Sequence, residues 1–323
     1  MTARSNLDTL VTIFGGSGFL GRHIVRALAR RRYRIRVAVR RPDLAGHLQP
    51  LGGVGQIHTV QANVRYGRSI EAAARDSDII INLTGILHER GRQRFESVHH
   101  VGAEGIALAA NAFGARMIHL SALGADENSP SLYARTKALG EKAVLAAVPT
   151  ATVFRPSVVF GPEDDFFNRF AALARMSPFL PLIGGGLMRF QPVFVGDVAE
   201  AVAAAVEEKT RAGATYELGG PEVLTMRQVM EYVLKTIDRK RLLVPLPFEI
   251  AKLQAKILQP LPKPPLTPDQ VELLKADNVV SDAAKAQDRT LQSLGIEPIS
   301  IAVVVPTYLW RFRKSGQFQG RVA

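Results

Sequence analysis

Tyr133-Ala-Arg-Thr-Lys137 places a phenol and an ammonium one helical turn apart on one face. That arrangement suits proton transfer to or from a substrate oxygen, with the lysine lowering the phenol's pKa. Ser121, at the end of an apolar run, offers a hydroxyl to hold the same oxygen. A Tyr–x–x–x–Lys spacing alone arises often by chance. Its setting gives it weight.

The second group of residues is Val11-Thr-Ile-Phe-Gly-Gly-Ser-Gly-Phe-Leu-Gly21. An apolar run ends in Gly15, Gly18 and Gly21, and an amphipathic stretch (Leu20, Ile24, Ala27, Leu28) opens without a break. A strand, a tight turn and a helix N-terminus are written this way when a dinucleotide pyrophosphate sits on the turn. Gly15 permits the turn, Gly18 lets the backbone approach phosphate, and Gly21 lets the helix pack closely on the strand. Ser17, Phe19 and Leu20 complete the cofactor-binding turn. About twenty residues on, where an NAD-binding turn offers a carboxylate to the ribose hydroxyls, this chain has Arg40 and Arg41. Arginine forks pair with a 2′-phosphate, so the reading favours NADP(H) over NAD(H). Asn63, at the end of the third strand, can hydrogen-bond an adenine edge. The bland alternatives are a ligand-free turn and arginines facing solvent.

These residues need a frame. Strand-like runs at Leu10–Phe14, Ile35–Val39, Ile57–Gln61, Ile79–Leu83, Met117–Leu120 and Thr152–Phe154 alternate with helical patterns at Arg22–Arg31, Ile70–Arg75, Gly102–Phe113 and Leu132–Ala147. Nearly all-apolar strands in such alternation predict an α/β fold of Rossmann type, a doubly wound parallel sheet covered on both faces. Residues 1–160 form the NADP-binding domain, with a strand and helix around 190–206 returning to it. Residues 161–323 form a smaller C-terminal α/β lobe, for substrate or partner, with a proline-rich basic tail. Within it Phe166–Met176 reads as a helix and Pro178–Gly186 as a Pro/Gly-rich loop. The last fifty residues pattern weakly, and both termini read as candidates for disorder.

At 323 residues and 47% hydrophobic, the chain can bury a large core. It has no cysteine, which excludes disulfides, zinc–thiolate sites and Fe–S clusters. No His/Glu spacing among His88, Glu89, His99 and His100 makes a metal set, and His119 reads as a core histidine. Met1–Asp8 holds no apolar signal core, and no apolar run approaches a bilayer span. The net charge of +12 attracts phosphates, anionic lipid or acidic proteins. No nucleic-acid motif accompanies it, so no nucleic-acid partner is expected. Phe248–Leu258, apolar at Phe248, Ile250, Ala251, Leu253, Ile257 and Leu258, reads as a helix that lies on a membrane, docks on a protein, or packs on its own lobe. Glu163-Asp-Asp165 reads as a solvated turn, and Gly184-Gly-Gly186 with Arg189 as a lid or a linker.

Gly15-x-x-Gly18-x-x-Gly21, Asn82-Leu-Thr-Gly85, Ser121, Tyr133-x-x-x-Lys137, Arg155-Pro-Ser-Val-Val-Phe-Gly161 and Pro192-Val-Phe-Val-Gly-Asp-Val198 together resemble an extended or atypical short-chain dehydrogenase/reductase, of the NAD-dependent epimerase/dehydratase kind. They span about the first two hundred residues. Within that superfamily the chain is most similar to the NADPH-binding accessory subunits of respiratory complex I and their bacterial relatives. Ile118-His-Leu-Ser-Ala-Leu-Gly-Ala125, Lys137-Ala-Leu-Gly-Glu-Lys142, Gly161-Pro-Glu-Asp-Asp-Phe-Phe-Asn168, Gln191-Pro-Val-Phe-Val195 and Leu243-Val-Pro-Leu-Pro-Phe248 carry this closer match. Those subunits hold their nucleotide as a structural element.

The resemblance implies that Leu83, Thr84, Gly85, Lys137, Arg155, Pro156 and Val158 line the cofactor pocket, with Arg155 and Pro156 beside its nicotinamide half. It implies Tyr133, Lys137 and Ser121 as the catalytic set if the chain is an enzyme. Respiratory complex I or quinone-biosynthesis proteins become the expected partners, with peripheral membrane contact. The expected location is cytoplasmic, at the cytoplasmic face of the inner membrane, or the matrix side in a mitochondrion. Two departures matter. Sugar-nucleotide epimerases end the fifth strand in a run of serines, and here only Ser121 remains. His99 stands where the superfamily often has an asparagine that supports the lysine through water. Three functions stay open: a nucleotide-holding scaffold, an active NADP-dependent oxidoreductase or epimerase on a small or isoprenoid substrate, and an NADP(H)-sensing regulator.

Overall fold

A computed structural model describes residues 5–261 and 264–314. Met1–Arg4, Pro262, Lys263 and the basic tail beyond Lys314 lie outside the described residues. The chain divides into two compact units, the first made of residues 1–156, 196–218 and 282–296 and the second of the rest.

The first unit is built on a seven-stranded parallel sheet. Its first six strands are β1 (Leu10–Phe14), β2 (Arg34–Val39), β3 (Ile57–Gln61), β4 (Ile79–Asn82), β5 (Arg116–Leu120) and β6 (Thr152–Pro156). Their order across the sheet is β6-β5-β4-β1-β2-β3, with Thr215–Leu218 added outside β6. Helices α1 (Phe19–Arg30), α2 (Gly67–Ala74), α3 (Val101–Ala112) and α4 (Leu132–Ala147) supply the crossovers. On one face Phe14, Ala38, Ile80 and Met117 pack against Ile70, Ile106, Ala110 and Val144 of α2–α4. Side chains alternate along a strand, so Val11 and Ile13 face the other way, where α1 buries Ile24, Val25 and Leu28. Each such large side chain contributes roughly 1.5–3 kcal/mol on burial, which explains why the strands read as unbroken apolar runs.

The edge strand Thr215–Leu218 is the one sheet strand the apolar pattern does not signal. It buries only alternate residues, Tyr216 and Leu218, and its Thr and Glu are half-exposed. Residues 282–296 also belong to this unit, where the Glu217 N–H donates to the Arg289 carbonyl at 2.9 Å and Arg211 to the Gln287 carbonyl at 3.1 Å. Among the described residues no helix is long and apolar enough to cross a membrane.

The second unit packs helices Phe167–Met176 and Met226–Thr236 around Phe160, Leu180, Leu182, Phe190 and Val233, closed by Tyr308, Leu309 and Phe312. Three expectations change here. The segment read as a loop contains a strand, Phe179–Ile183, paired in parallel with Leu242–Leu246. Pro181 and Pro245 hide both strands from a sequence reading, yet a two-strand sheet tolerates the N–H groups they lack. The triglycine is a packed turn rather than a bare linker. Gly184, Gly185 and Gly186 all have positive φ, and a side-chain carbon at Gly184 would overlap the Phe248 ring. Arg189 is held by Asp277 at 2.7 Å. Nor is Glu163–Asp165 merely a solvated turn. Asp164 is buried and accepts from the N–H groups of Gly161, Phe166 and Asn168 and from the Tyr308 hydroxyl at 2.6 Å.

Candidate functional site

The carboxyl ends of β1 and β4 are neighbours although their chain segments are far apart, so the sheet reverses direction of travel between them. In an open α/β sheet that switch point is where ligands bind. The loops after β1 and β4 touch there: a side-chain carbon at Gly15 would stand 3.2 Å from the backbone of Leu83 and Thr84. Gly15 also has φ +81°, so the turn needs glycine twice over. Asn82, at the end of β4, shapes the facing loop by accepting from the Thr84 N–H at 3.0 Å and its hydroxyl at 2.6 Å.

The motif glycines divide by cause. A side-chain carbon at Gly21 would overlap the backbone of Gly16, so Gly21 seats α1 on the turn rather than on the strand. One at Gly16 would stand 2.8 Å from Val37. Gly18 is different. A carbon there meets only the Gly15 carbonyl at 3.5 Å, an ordinary contact, and its φ of −76° suits any residue. Gly18 is the N-cap of α1 and offers no side-chain cap. The protein's own packing leaves this glycine unexplained, while a phosphate approaching the start of α1 explains it.

Arg40 and Arg41 follow β2, and the structure separates them. Arg41 donates to Asp43 at 2.7 and 3.0 Å. Arg40 is exposed and has no hydrogen-bond or ion-pair partner among the described residues. It is the one free to meet a phosphate. Asn63, after β3, accepts from the Arg65 backbone N–H and guanidinium on its side-chain oxygen at 3.2 and 3.3 Å, which leaves its amide nitrogen as the donor end.

Ser131 caps α4 by accepting from the Ala134 N–H at 3.2 Å, which sets Tyr133 in the first turn and Lys137 one turn on. Lys137 is buried and donates to the Leu120 carbonyl at 3.1 Å. Burial lowers its pKa to about 8, and the Glu141 carboxylate works against that fall. A side-chain carbon at Gly85 would stand 3.6 Å from Lys137 Nζ and 3.8 Å from His99 Nε2. Loop, ammonium and imidazole thus share one corner.

His99 is delivered to that corner by a single π-helical turn, Glu96–His100, of the kind that often marks functional sites. Its Nε2 accepts from the Ile86 N–H at 3.0 Å, so Nδ1 carries the proton and donates to Thr136 Oγ1 at 3.2 Å. The ring stacks on Phe95 and meets Tyr133 edge-on. With both nitrogens engaged, His99 has nothing left to support the lysine through water. Burial and then the Lys137 charge push its pKa down to about 2. His119 is buried as expected, but it is not merely apolar filling. Its Nδ1 accepts from the Asn82 amide at 3.1 Å, and its Nε2 has no partner among the described residues, nor has Ser121 Oγ. Burial and Lys137 hold His119 at about 3.

Arg155, at the end of β6, is taken by buried Glu141, with contacts at 2.6 and 3.0 Å. Pro156 ends the same strand. Val158 lies in the second unit, where its N–H donates to Asn278 Oδ1 at 3.1 Å. Glu141 and Gly140 are the residues sequence reasoning missed. A side-chain carbon at Gly140 would overlap the His99 carbonyl oxygen, so this glycine lets α4 cross the π-turn. The signal was available as a glycine inside an amphipathic helix, followed by a carboxylate one turn past Lys137. No group of three or more His, Asp or Glu residues that could hold a metal ion occurs among the described residues.

The family profile described as "NAD dependent epimerase/dehydratase family" matches residues 11–219. "NADH dehydrogenase [ubiquinone] 1 alpha subcomplex subunit 9, mitochondrial" of Arabidopsis thaliana is 39% identical over 97% of this chain and 80% of its own. "NADH-ubiquinone oxidoreductase 40 kDa subunit, mitochondrial" of Neurospora crassa is 34% identical over 95% and 80%. The solved structure of an NADPH-dependent quinone oxidoreductase from Escherichia coli, complexed with NADPH, aligns with a TM-score of 0.73 at 19% identity, over 93% of this chain and 99% of that one. The last likeness is one of fold.

Proposed function

The chain belongs to the NAD-dependent epimerase/dehydratase family, and from that membership we propose that it is an NADP(H)-holding accessory subunit of a complex I-type respiratory assembly, peripheral to the membrane. The observation that carries the nucleotide half is Gly18, a glycine that neither its φ nor its only neighbour, the Gly15 carbonyl at an ordinary 3.5 Å, requires, at a helix start without a side-chain cap. The names of its relatives support the partner half. Gly15–Gly18 and the start of α1 would hold the pyrophosphate, Arg40 the 2′-phosphate and Asn63 the adenine. Lys137, beside Gly85, would hold the nicotinamide ribose. A bound nicotinamide supplies a hydride donor or acceptor. Holding fits this chain better than turnover, because Lys137 already donates to Leu120, His99 is fully engaged, and Arg155 is locked on Glu141.

A second reading, an active oxidoreductase, is favoured by two buried polar atoms without partners among the described residues, His119 Nε2 on β5 and Ser121 Oγ just after it. In it Tyr133 moves the proton at a substrate oxygen, Lys137 keeps the phenol acidic, and Ser121 orients the oxygen. One experiment separates the readings. The nucleotide released on denaturing the purified protein is identified, and the native protein is assayed against a panel of quinones and carbonyl compounds. The scaffold reading expects NADP(H) that resists dialysis, no turnover, and co-isolation with respiratory subunits from membranes. Turnover abolished by Tyr133→Phe would replace it with the second reading, and absence of nucleotide would overturn both.

A further inference from the structure

The helix Phe248–Leu258 is built the wrong way round for a helix that only packs on its own lobe. Ala251 and Ala255 are fully buried against Val271, Leu246, Leu266 and Ile183. Ile250, Leu253 and Ile257, at i, i+3 and i+7 on the opposite side, are 48%, 61% and 70% exposed. Small residues face inward and bulky aliphatics face outward, which reverses the usual amphipathic pattern. Two contacts hold the helix in this orientation: Lys252 pairs with Glu272 at 2.6 Å, and Phe248 packs over Gly184.

The same block exposes more apolar surface. The strand Leu242–Leu246 leads through Pro247 directly into the helix, and its Leu242 lies in register with Phe179. Register partners in a parallel pair share a face, and both side chains are exposed, as is Val244 two residues on. Apolar surface gathered in this way marks an interaction site. Lys235 and Lys240 are exposed in the segment ahead of the strand and Lys256 on the helix itself, with no carboxylate partner among the described residues. Aliphatics outward and unpaired lysines beside them complement a surface that is apolar inside and negative at its edge.

We propose that the outward face of helix Phe248–Leu258, with the outer face of the strand pair that feeds it, seats on an anionic lipid surface. This deepens the membrane-peripheral part of the reading above and rests on it; nucleotide binding is independent of it. The full-length protein should float with phosphatidylcholine vesicles that contain phosphatidylglycerol and not with phosphatidylcholine alone. The triple variant Ile250→Glu, Leu253→Glu, Ile257→Glu should lose vesicle binding by at least about tenfold, with unchanged thermal melting and unchanged bound nucleotide. Lys240→Glu with Lys256→Glu should shift the remaining binding to lower salt. Wild-type protein that ignores the mixed vesicles, or a triple variant that still binds them, overturns the proposal. So does loss of a homodimer, or of a protein partner, as the only effect of the triple variant. Wild-type protein that co-isolates with respiratory subunits yet ignores vesicles sinks this inference alone.

Discussion

Two corners of the sheet's carboxyl end, at the two ends of the cofactor's expected path, treat their polar groups in opposite ways. At the glycine corner the fold leaves things open: a side chain at Gly18 would meet only the Gly15 carbonyl at an ordinary distance, α1 starts without a side-chain cap, and Arg40 has no partner among the described residues. At the tyrosine–lysine corner the fold has used most of what it has. Lys137 is tied to Leu120, both nitrogens of His99 are engaged, and Arg155 is bound by Glu141. The contrast shows that a complete motif and an available reactive group are different observations.

The largest expected effect tests the locked corner. His99 and His119 are neutral and buried, with pKa values of about 2 and about 3 against an ordinary 6.5. Below pH 6.5 the unfolded chain takes up protons that the folded one refuses, so stability falls with pH until the folded values are reached. Each histidine costs about 1.4 kcal/mol per pH unit in that window. Urea unfolding at stepped pH should show this steep acid limb. His119→Gln keeps an acceptor for Asn82 and should remove about half of the two-histidine slope. An unchanged slope would mean that the ring titrates normally in the folded protein.

The open corner is tested next, by two glycines three residues apart. Gly21→Ala drives a carbon into the Gly16 backbone and should cost about 3 kcal/mol of stability, read by thermal or urea unfolding. Gly18→Ala meets no obstacle and should leave stability within about 0.5 kcal/mol. It should instead weaken NADPH binding by about tenfold. Equal stability losses at both sites would show that Gly18 serves the fold, and would remove its value as evidence for a ligand.

Cofactor choice follows as a smaller effect. Arg40→Ala should weaken NADPH about tenfold while sparing NADH, whereas Arg41→Ala, whose fork is already on Asp43, should change the ratio less. Titration of both variants with both nucleotides decides it; a loss equal for NADPH and NADH would mean that Arg40 does not read the 2′-phosphate.

The legible parts of the molecule share a physical reason. Strands β1, β2 and β4–β6 bury most of both faces, and β1 and β4 do so completely, so Val11, Ile13 and Ile79–Ile81 write their position in composition alone. The glycine turn is legible because Gly15 is demanded by φ and Gly21 by packing, and either demand alone fixes the residue type. The hidden parts depend on pairings across the chain. Thr215–Leu218 alternates because it is an edge, and Phe179–Ile183 is masked by a proline that an edge strand accepts, and both strands of a two-strand sheet are edges. The engagement of His99 with Ile86 and Thr136, and of Arg155 with Glu141, joins residues whose types carry no mark of their partners. The residue types of a site can be read from sequence, but whether its groups are free cannot.

The smallest effect is the one that separates holding from chemistry at Lys137. Burial lowers its pKa from 10.5 to about 8, so the folded protein sheds this proton before the unfolded chain does. Between about pH 8 and 10.5 the unfolded state therefore binds more protons, and this group makes stability rise with pH. Nucleotide grip should run the other way, because an ammonium gives stronger hydrogen bonds to a ribose hydroxyl than a neutral amine does. NADPH affinity should hold steady to about pH 7 and weaken a few-fold through about pH 8, while the nucleotide-free protein becomes no less stable. Isothermal titration and unfolding on the same pH series measure both trends. Lys137→Met should flatten the binding trend. If the affinity of wild type and Lys137→Met falls in parallel, the lysine does not touch the nucleotide and serves only to tie α4 to β5 through the Leu120 carbonyl.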